Sequence, residues 1–253
     1  MKNKNNKNNN NKFHTIHGIN NSIELLKLEK NKIISIFLLK DGKAIKHEYI
    51  KKNITILKDK CTILNNIDYN KKFPYMRSQG IVINFQFKAR NLLPQFSSQN
   101  VCLLITESIE DPQNLGQIIR TSECAGINGL LLPQNRSVGI TNSVLQVSQG
   151  AFLSLPIYTI GNISQTLLTL KKEGFWVVGV ENGLDASKWH EIDYHGKIIF
   201  IVGSEGKGIR PNTLKHCDSI ATIPMLGKIN SLNVSAAVSV ILFERNRQLS
   251  KKK

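Results

Sequence analysis

No apolar run in this 253-residue chain reaches the roughly 20 residues that a membrane-spanning helix needs. The N-terminus also lacks the apolar core of a secretory signal. These absences point to a soluble, cytoplasmic protein. Cysteine is scarce, and Cys61, Cys102, Cys124 and Cys217 lie far apart with no C-x-x-C among them. The six histidines form no pair at metal-ligand spacing. A disulfide scaffold and a zinc module are thereby excluded, and no metal is expected. Cys102 falls in an apolar strand pattern and Cys124 in a helical one, so both are expected as buried free thiols. His195 and His216 read as surface residues. Acidic side chains are also few, with 18 Asp and Glu against 34 Lys and Arg and a net charge of +16. Such a balance suits a polyanionic partner, RNA or DNA. Taking the seven lysines of the two tails (Lys2, Lys4, Lys7, Lys12 and residues 251–253) from +16 leaves +9, so the excess also extends over the rest of the chain.

Nucleotide-binding signatures are missing too. The run Gly203-Ser204-Glu205-Gly206-Lys207-Gly208 is glycine-rich, but Gly208 stands after Lys207 where a P-loop requires Ser or Thr. The glycine order is not that of a dinucleotide fingerprint either. Glu205 would repel a phosphate, so this loop suits a cationic or hydroxyl-bearing ligand better. A nucleotide-hydrolysing enzyme is disfavoured.

What is present is a change of pattern along the chain. Residues 1–12 are a low-complexity Asn/Lys tract, expected to be disordered. Residues 13–87 read as a small α/β unit. Ile19, Ile23 and Leu26 have helical spacing, 33–39 and 54–57 read as buried strands, and 81–87 alternate as a half-buried strand. Residues 88–100, with Pro94 and Ser97-Ser98, read as a linker. From 101 to 250, strands alternate with helices. Strands are expected at 101–105, 130–132, 157–160, 175–180, 198–202 and 220–223. Helices are expected at 115–125, 142–149 and 163–173. A final helix carries Val234, Ala237, Val238, Ile241 and Leu242 on one face. Continuous apolar strands between helices define a parallel sheet covered on both faces. Ligands of such sheets bind beyond the carboxyl ends of the strands.

Three motifs lie at such ends. The first is Asp111-Pro112-Gln113-Asn114-Leu115-Gly116 with Arg120. Asp111 and Pro112 are explained by helix capping, Asn114 and Arg120 are not. The second is the glycine loop 203–208. The third runs from Ile223 through Pro224, Met225, Leu226 and Gly227 to Ser231, Leu232 and Asn233. Asn233 suits an N-cap and Ser231 a turn, yet several small polar residues crowd one helix start, where backbone N–H groups face a ligand.

Together, and in this order, the motifs resemble the SpoU branch of the SPOUT RNA ribose 2′-O-methyltransferases. Ile16-His17-Gly18-Ile19 and Gln79-Gly80-Ile81-Val82 extend the resemblance to the N-terminal RNA-binding domain of the RlmB-like members, a domain similar to ribosomal L30e. The resemblance implies a SPOUT α/β domain with a trefoil knot, S-adenosyl-L-methionine as methyl donor, a homodimer, and a guanosine of the peptidyl-transferase loop of 23S ribosomal RNA as acceptor. It implies Arg120 as the catalytic arginine with Asn114 as its support. Glu205, Ser231 and Asn233 follow as further catalytic residues, and the backbone at Gly203, Ile223 and Leu232 as the cofactor seat. The dimer would bring Arg120 of one subunit to the donor pocket of the other. The chain departs from the common pattern at Gln113 and Ser78, where His is usual, and at His17, where an aromatic is common. Two alternatives stay open. One is the TrmH-like tRNA guanosine 2′-O-methyltransferases, which lack this N-terminal domain. The other is a non-catalytic RNA-binding ribosome-assembly factor.

Overall fold

The computed structural model describes residues 13–182, 186–204 and 206–250. Glu205 and the expected disordered tract 1–12 lie outside them. The chain divides into two compact units, one ending at Lys88 and the other beginning at Ala89.

In the first unit the order is β1 (His14–His17), α1 (Ile19–Leu28), β2 (Ile33–Leu39), α2 (Lys43–Lys46), α3 (Glu48–Ile56), β3 (Cys61–Leu64), α4 (Asn66–Lys72) and β4 (Ile81–Phe85). The sheet runs β1-β4-β2-β3. Strand β4 is antiparallel to both neighbours, and β3 is parallel to β2. Two expectations need correction here. Residues 54–57, expected as a strand, form the end of α3 and its cap. Helix α3 instead buries Ile50 and Asn53, three residues apart, leaving Ile56 63% exposed. A run of four apolar or β-branched residues does not distinguish strand from helix, and packing decides. Strand β4 was expected to be half-buried; Asn84 is partly buried and Gln86 exposed as the alternation requires, but Val82 is as buried as Ile81 and Ile83. The two N-terminal motifs meet: the Gln79 side-chain oxygen accepts from the backbone N–H of Ile19 at 2.8 Å, capping α1.

In the second unit the order is β5 (Val101–Thr106), α5 (Pro112–Cys124), β6 (Gly129–Pro133), α6 (Asn142–Val147), β7 (Ile157–Ile160), α7 (Ile163–Lys172), β8 (Trp176–Val180), β9 (Ser187–Lys188), β10 (Lys197–Val202), α8 (Pro211–Leu214), β11 (Ser219–Thr222) and α9 (Val234–Ser250). The strands form a seven-stranded sheet, β7-β6-β5-β10-β8-β11-β9. Every named pairing in it is parallel. Strand β5 is buried along its whole length, as the apolar run requires of an interior parallel strand. Left-handed glycines stand after two helices, Gly126 after α5 (φ 67) and Gly174 after α7 (φ 88).

Residues 89–100 contain no named strand or helix. Arg90 nevertheless exchanges two backbone hydrogen bonds with β7, and Phe96 packs edge-on against Phe175 at 5.6 Å. Of the thiols, Cys102 is buried and Cys124 is exposed. Cys124 is the last residue of α5, and its helical spacing did not bury it. Burial pushes the Cys102 thiol up to about 12 and, with help from Asp218, the Cys217 thiol up to about 11. Neither forms a thiolate at neutral pH.

Candidate active site

The insertion of β10 between β5 and β8 decides where the site lies. It sets the loop after β10 beside the loop after β5, with the loops after β8 and β11 on the other side. At this carboxyl edge lies a cavity of about 470 Å³. Its floor is Val180, Val202 and Ala221, the carboxyl ends of three adjacent strands. Gly203, Ile223, Ser231 and Leu232, all singled out from sequence, line it as well.

The glycine loop is shaped by close backbone packing. Gly208 N–H donates to the Ser204 carbonyl at 2.8 Å, closing a tight turn. A Cβ on Gly203 would stand 2.0 Å from the carbonyl carbon of Gly208, so only glycine fits without displacing backbone. Gly208 has φ +62, and a Cβ there would meet the Glu181 carboxylate at 2.0 Å. Glu181 anchors the turn by accepting from Ile209 N–H at 2.7 Å.

The first and third motifs meet through one hydrogen bond. Asp111 caps α5 by accepting from Gln113 N–H at 2.9 Å, with Pro112 at the first helical position. Asn233 caps α9 by accepting from Ser235 N–H at 3.0 Å. The Asn233 side-chain amide then donates to Asn114 Oδ1 at 2.9 Å, across 119 positions of sequence. Asn114 is 8% exposed, whereas Asn233 is exposed and is held by its bonds to Asn114 and Ser235. The small residue Gly116 lets α6 approach α5, since a Cβ there would fall 2.5 Å from Val147.

A second cavity of about 670 Å³ shares Ser204, Gly206, Lys207, Gly208 and Val234 with the first. Asn114 lines it. Arg120 is exposed on α5 and is not among the residues lining either cavity. Among the described residues no group of His, Cys, Asp or Glu is arranged to hold a metal ion.

Sequence reading missed three residues of this edge. Glu107 is 3% exposed and accepts from Arg210 N–H at 2.9 Å and from the Thr213 hydroxyl at 2.8 Å, tying the β5 loop to the segment after the glycine loop. Glu181 is the second. Asn182 is the third, donating to the Asn230 carbonyl and accepting from the Thr222 hydroxyl, both at 3.0 Å. Each of them directly follows an apolar strand or closely succeeds one. The carboxyl-edge rule applied to every strand would have found them.

The fold and this edge define a parallel α/β protein with a small-molecule cavity at the carboxyl ends of its strands. The model of the SpoU rRNA Methylase family matches residues 102–243. The 23S rRNA (guanosine-2′-O-)-methyltransferase RlmB of Shewanella oneidensis is 30% identical over 240 residues, covering 92% of this chain and 96% of that protein. A tRNA/rRNA methyltransferase of Synechocystis is 39% identical over 187 residues, 73% of this chain, and the match spans only 48% of that longer protein. Among solved structures, the SpoU methyltransferase AviRb from Streptomyces viridochromogenes, in complex with AdoMet, superposes with a TM-score of 0.80 at 18% identity, covering 94% of this chain and 91% of that one. This last likeness is one of fold. The chain belongs to the SpoU rRNA methylase family.

Proposed function

We propose that this protein transfers a methyl group from S-adenosyl-L-methionine to the ribose 2′-oxygen of a guanosine in the peptidyl-transferase loop of 23S ribosomal RNA. The observation that carries this reading is the Asn233–Asn114 bond, which joins the first and third motifs beside a cavity lined by the second. The RlmB relative, matched along nearly its whole length, supports 23S RNA as substrate.

The cavity fits the donor by size and chemistry. About 470 Å³ lies within the usual range for small-molecule sites, ~300–1,000 Å³. Apolar Val202, Ile223 and Leu232 suit an adenine, and the backbone about Gly203 and Ser231 offers it polar partners. When bound, S-adenosyl-L-methionine supplies an electrophilic methyl group at a cationic sulfur. In this reading Arg120 clamps the phosphate beside the target ribose and stabilises the alkoxide that develops as the 2′-hydroxyl loses its proton. Asn114 and Asn233 hold the starts of α5 and α9 in register, which fixes the approach of the hydroxyl. Glu205 and Ser231 are assigned to the same machinery by motif. The reading also carries a homodimer. The exposed position of Arg120, away from both cavities of its own chain, fits delivery to a partner's donor pocket. A trefoil knot and an L30e-like first unit belong to the same reading.

A methyl-transfer assay with labelled S-adenosyl-L-methionine tests it, offering unmodified 23S RNA and tRNA to wild type and Arg120→Ala. Label entering 23S RNA and lost in the variant is expected. Label in tRNA alone would reassign the substrate, a reading that the Synechocystis relative's description as a tRNA/rRNA enzyme keeps in view. RNA binding without label in either would favour an assembly factor.

A further inference from the structure

We infer that the second cavity seats a phosphodiester of the acceptor RNA strand, gripped by Arg136 and Arg210 together with Lys207. The inference rests on the RNA-modifying reading above and adds two arginines that lie outside all three motifs.

Arg136, Lys207 and Arg210 line this one cavity. Among the described residues, none of them forms an ion pair within 4.0 Å. Cations that converge on one cavity without pairing directly to its carboxylates repel one another unless an anion joins them. Arg210 is also held in place. Its backbone N–H is fixed by the buried Glu107 carboxylate at 2.9 Å, and its guanidinium donates to Ser108 Oγ at 2.8 Å. The other Glu107 oxygen is taken by the Thr213 hydroxyl. Glu107 therefore anchors the main chain at Arg210, while the guanidinium is left a hydroxyl partner and keeps donors for a ligand. A solvated surface arginine needs no such support.

The backbone across the cavity is equally specific. Ser108 and Arg136 both have φ 59, a left-handed conformation uncommon for residues other than glycine. Their loops are tied by Val138 N–H donating to the Ile109 carbonyl at 2.7 Å. Such conformations cluster at ligand clamps, where surrounding structure enforces them. Guanidinium forks match phosphate oxygens in geometry as well as charge. Two carboxylates, Glu110 and Asp111, also line the cavity, and Asp111 is occupied as the α5 cap. They disfavour a free phosphate dianion and are better tolerated by the single charge of a diester. The cavity adjoins the donor cavity across the glycine loop, so a diester seated there would present its neighbouring ribose toward the donor.

The test uses the full-length protein and its Arg136→Gln, Arg210→Gln and double variants. Affinity for an unmodified 23S RNA transcript is measured across salt concentrations, and S-adenosylhomocysteine binding is measured by calorimetry. Each single variant should weaken RNA binding several-fold and reduce the slope of log affinity against log salt by part of the roughly 0.7–0.9 that one phosphate contact contributes. The double variant should lose up to the full value of that one contact, about 0.7–0.9, and Arg136→Lys should keep most of the wild-type slope. S-adenosylhomocysteine affinity should stay within about twofold of wild type, because the contacts removed are to phosphate. Arg136 lies on an exposed loop, so its variant reports even if Arg210→Gln misfolds. An unchanged slope and affinity in the double variant would overturn the inference. So would saturable binding of inorganic phosphate, abolished by Arg210→Gln while the RNA slope is kept, which would make this a free-phosphate site. Failure of wild type to bind S-adenosylhomocysteine would instead count against the methyltransfer reading, while the RNA slopes still decide on the cavity.

Discussion

Arg120 poses the sharpest chemical question at the scale of single residues. A guanidinium keeps its proton to above about pH 12, so it is a poor general base at neutral pH and a good clamp for an anion. Arg120→Lys keeps the charge and removes the fork. Methyl transfer is expected to fall by about 10- to 100-fold, with donor affinity unchanged. Full activity in the lysine variant would refute the bidentate role. Gly203 makes a second, geometric prediction. A methyl group there meets Gly208 backbone at 2.0 and 2.1 Å, whereas a Cβ on Gly206 meets nothing within 4 Å. Gly203→Ala should cost about 1–3 kcal/mol and abolish S-adenosylhomocysteine binding, while Gly206→Ala should leave the melting temperature nearly unchanged. Equal melting curves for the two variants would show that the turn relaxes more readily than its packing implies. Gly203 was legible as a candidate because it ends an apolar strand. The reason it must be glycine was not, since that depends on a residue folded back onto it.

Helix α9 shows at the scale of the element what periodicity can and cannot convey. Val234, Val238, Ile241 and Leu242 are buried, as their spacing required, Ala237 of the same face is half-buried, and Asn233 caps the helix as its residue type suggested. The same helix buries Glu244, only 4% exposed, which no hydrophobic pattern announces. Glu244 accepts from Arg247 Nε and Nη2, each at 2.6 Å, and from Gln248 at 2.9 Å. Gln248 in turn ties α9 to Tyr194 and to the Ile192 carbonyl. The Arg247 bonds hold the Glu244 carboxyl below its usual range. Its folded value is thus lower than its unfolded one, so its contribution is fully present above the ordinary carboxylate range and is lost as pH falls from that range through the lowered folded value. Thermal melts taken from neutral to acid pH should show this loss, and Glu244→Gln should flatten that part of the profile. An identical acid profile in the variant would rule out a role for the pair. Helix α3 gives the opposite lesson. Its last turn was read as a strand because a short β-branched run carries no period long enough to identify.

Charge and topology act at the scale of the whole molecule. Four of the 34 basic residues, Lys2, Lys4, Lys7 and Lys12, stand in the N-terminal tract beside many asparagines. Deleting residues 1–12 should lower RNA affinity modestly, and more at low salt than at high, because such attraction is screened. Unchanged affinity at low salt would exclude the tract from RNA binding. Topology shapes the second unit more deeply. Strand β10 enters between β5 and β8 although it follows β8 and β9 in the chain, and this brings the ends of β5, β8, β10 and β11 to one edge. The sequence by itself determined the strands and helices with long or clean periods, the parallel character of the second sheet, the caps of α5 and α9, and three motifs specific enough to mark the family. Each is written in neighbouring residues, where local sterics and the alternation of apolar side chains act directly. Only the tertiary structure decided that Asn114 bonds Asn233, that Glu107 and Glu181 pin the site's loops, and that Arg136 and Arg210 face one cavity. Those contacts join residues tens to more than a hundred positions apart. Chain-order spacing carries no record of which distant side chains the crossing strands will bring within hydrogen-bonding reach.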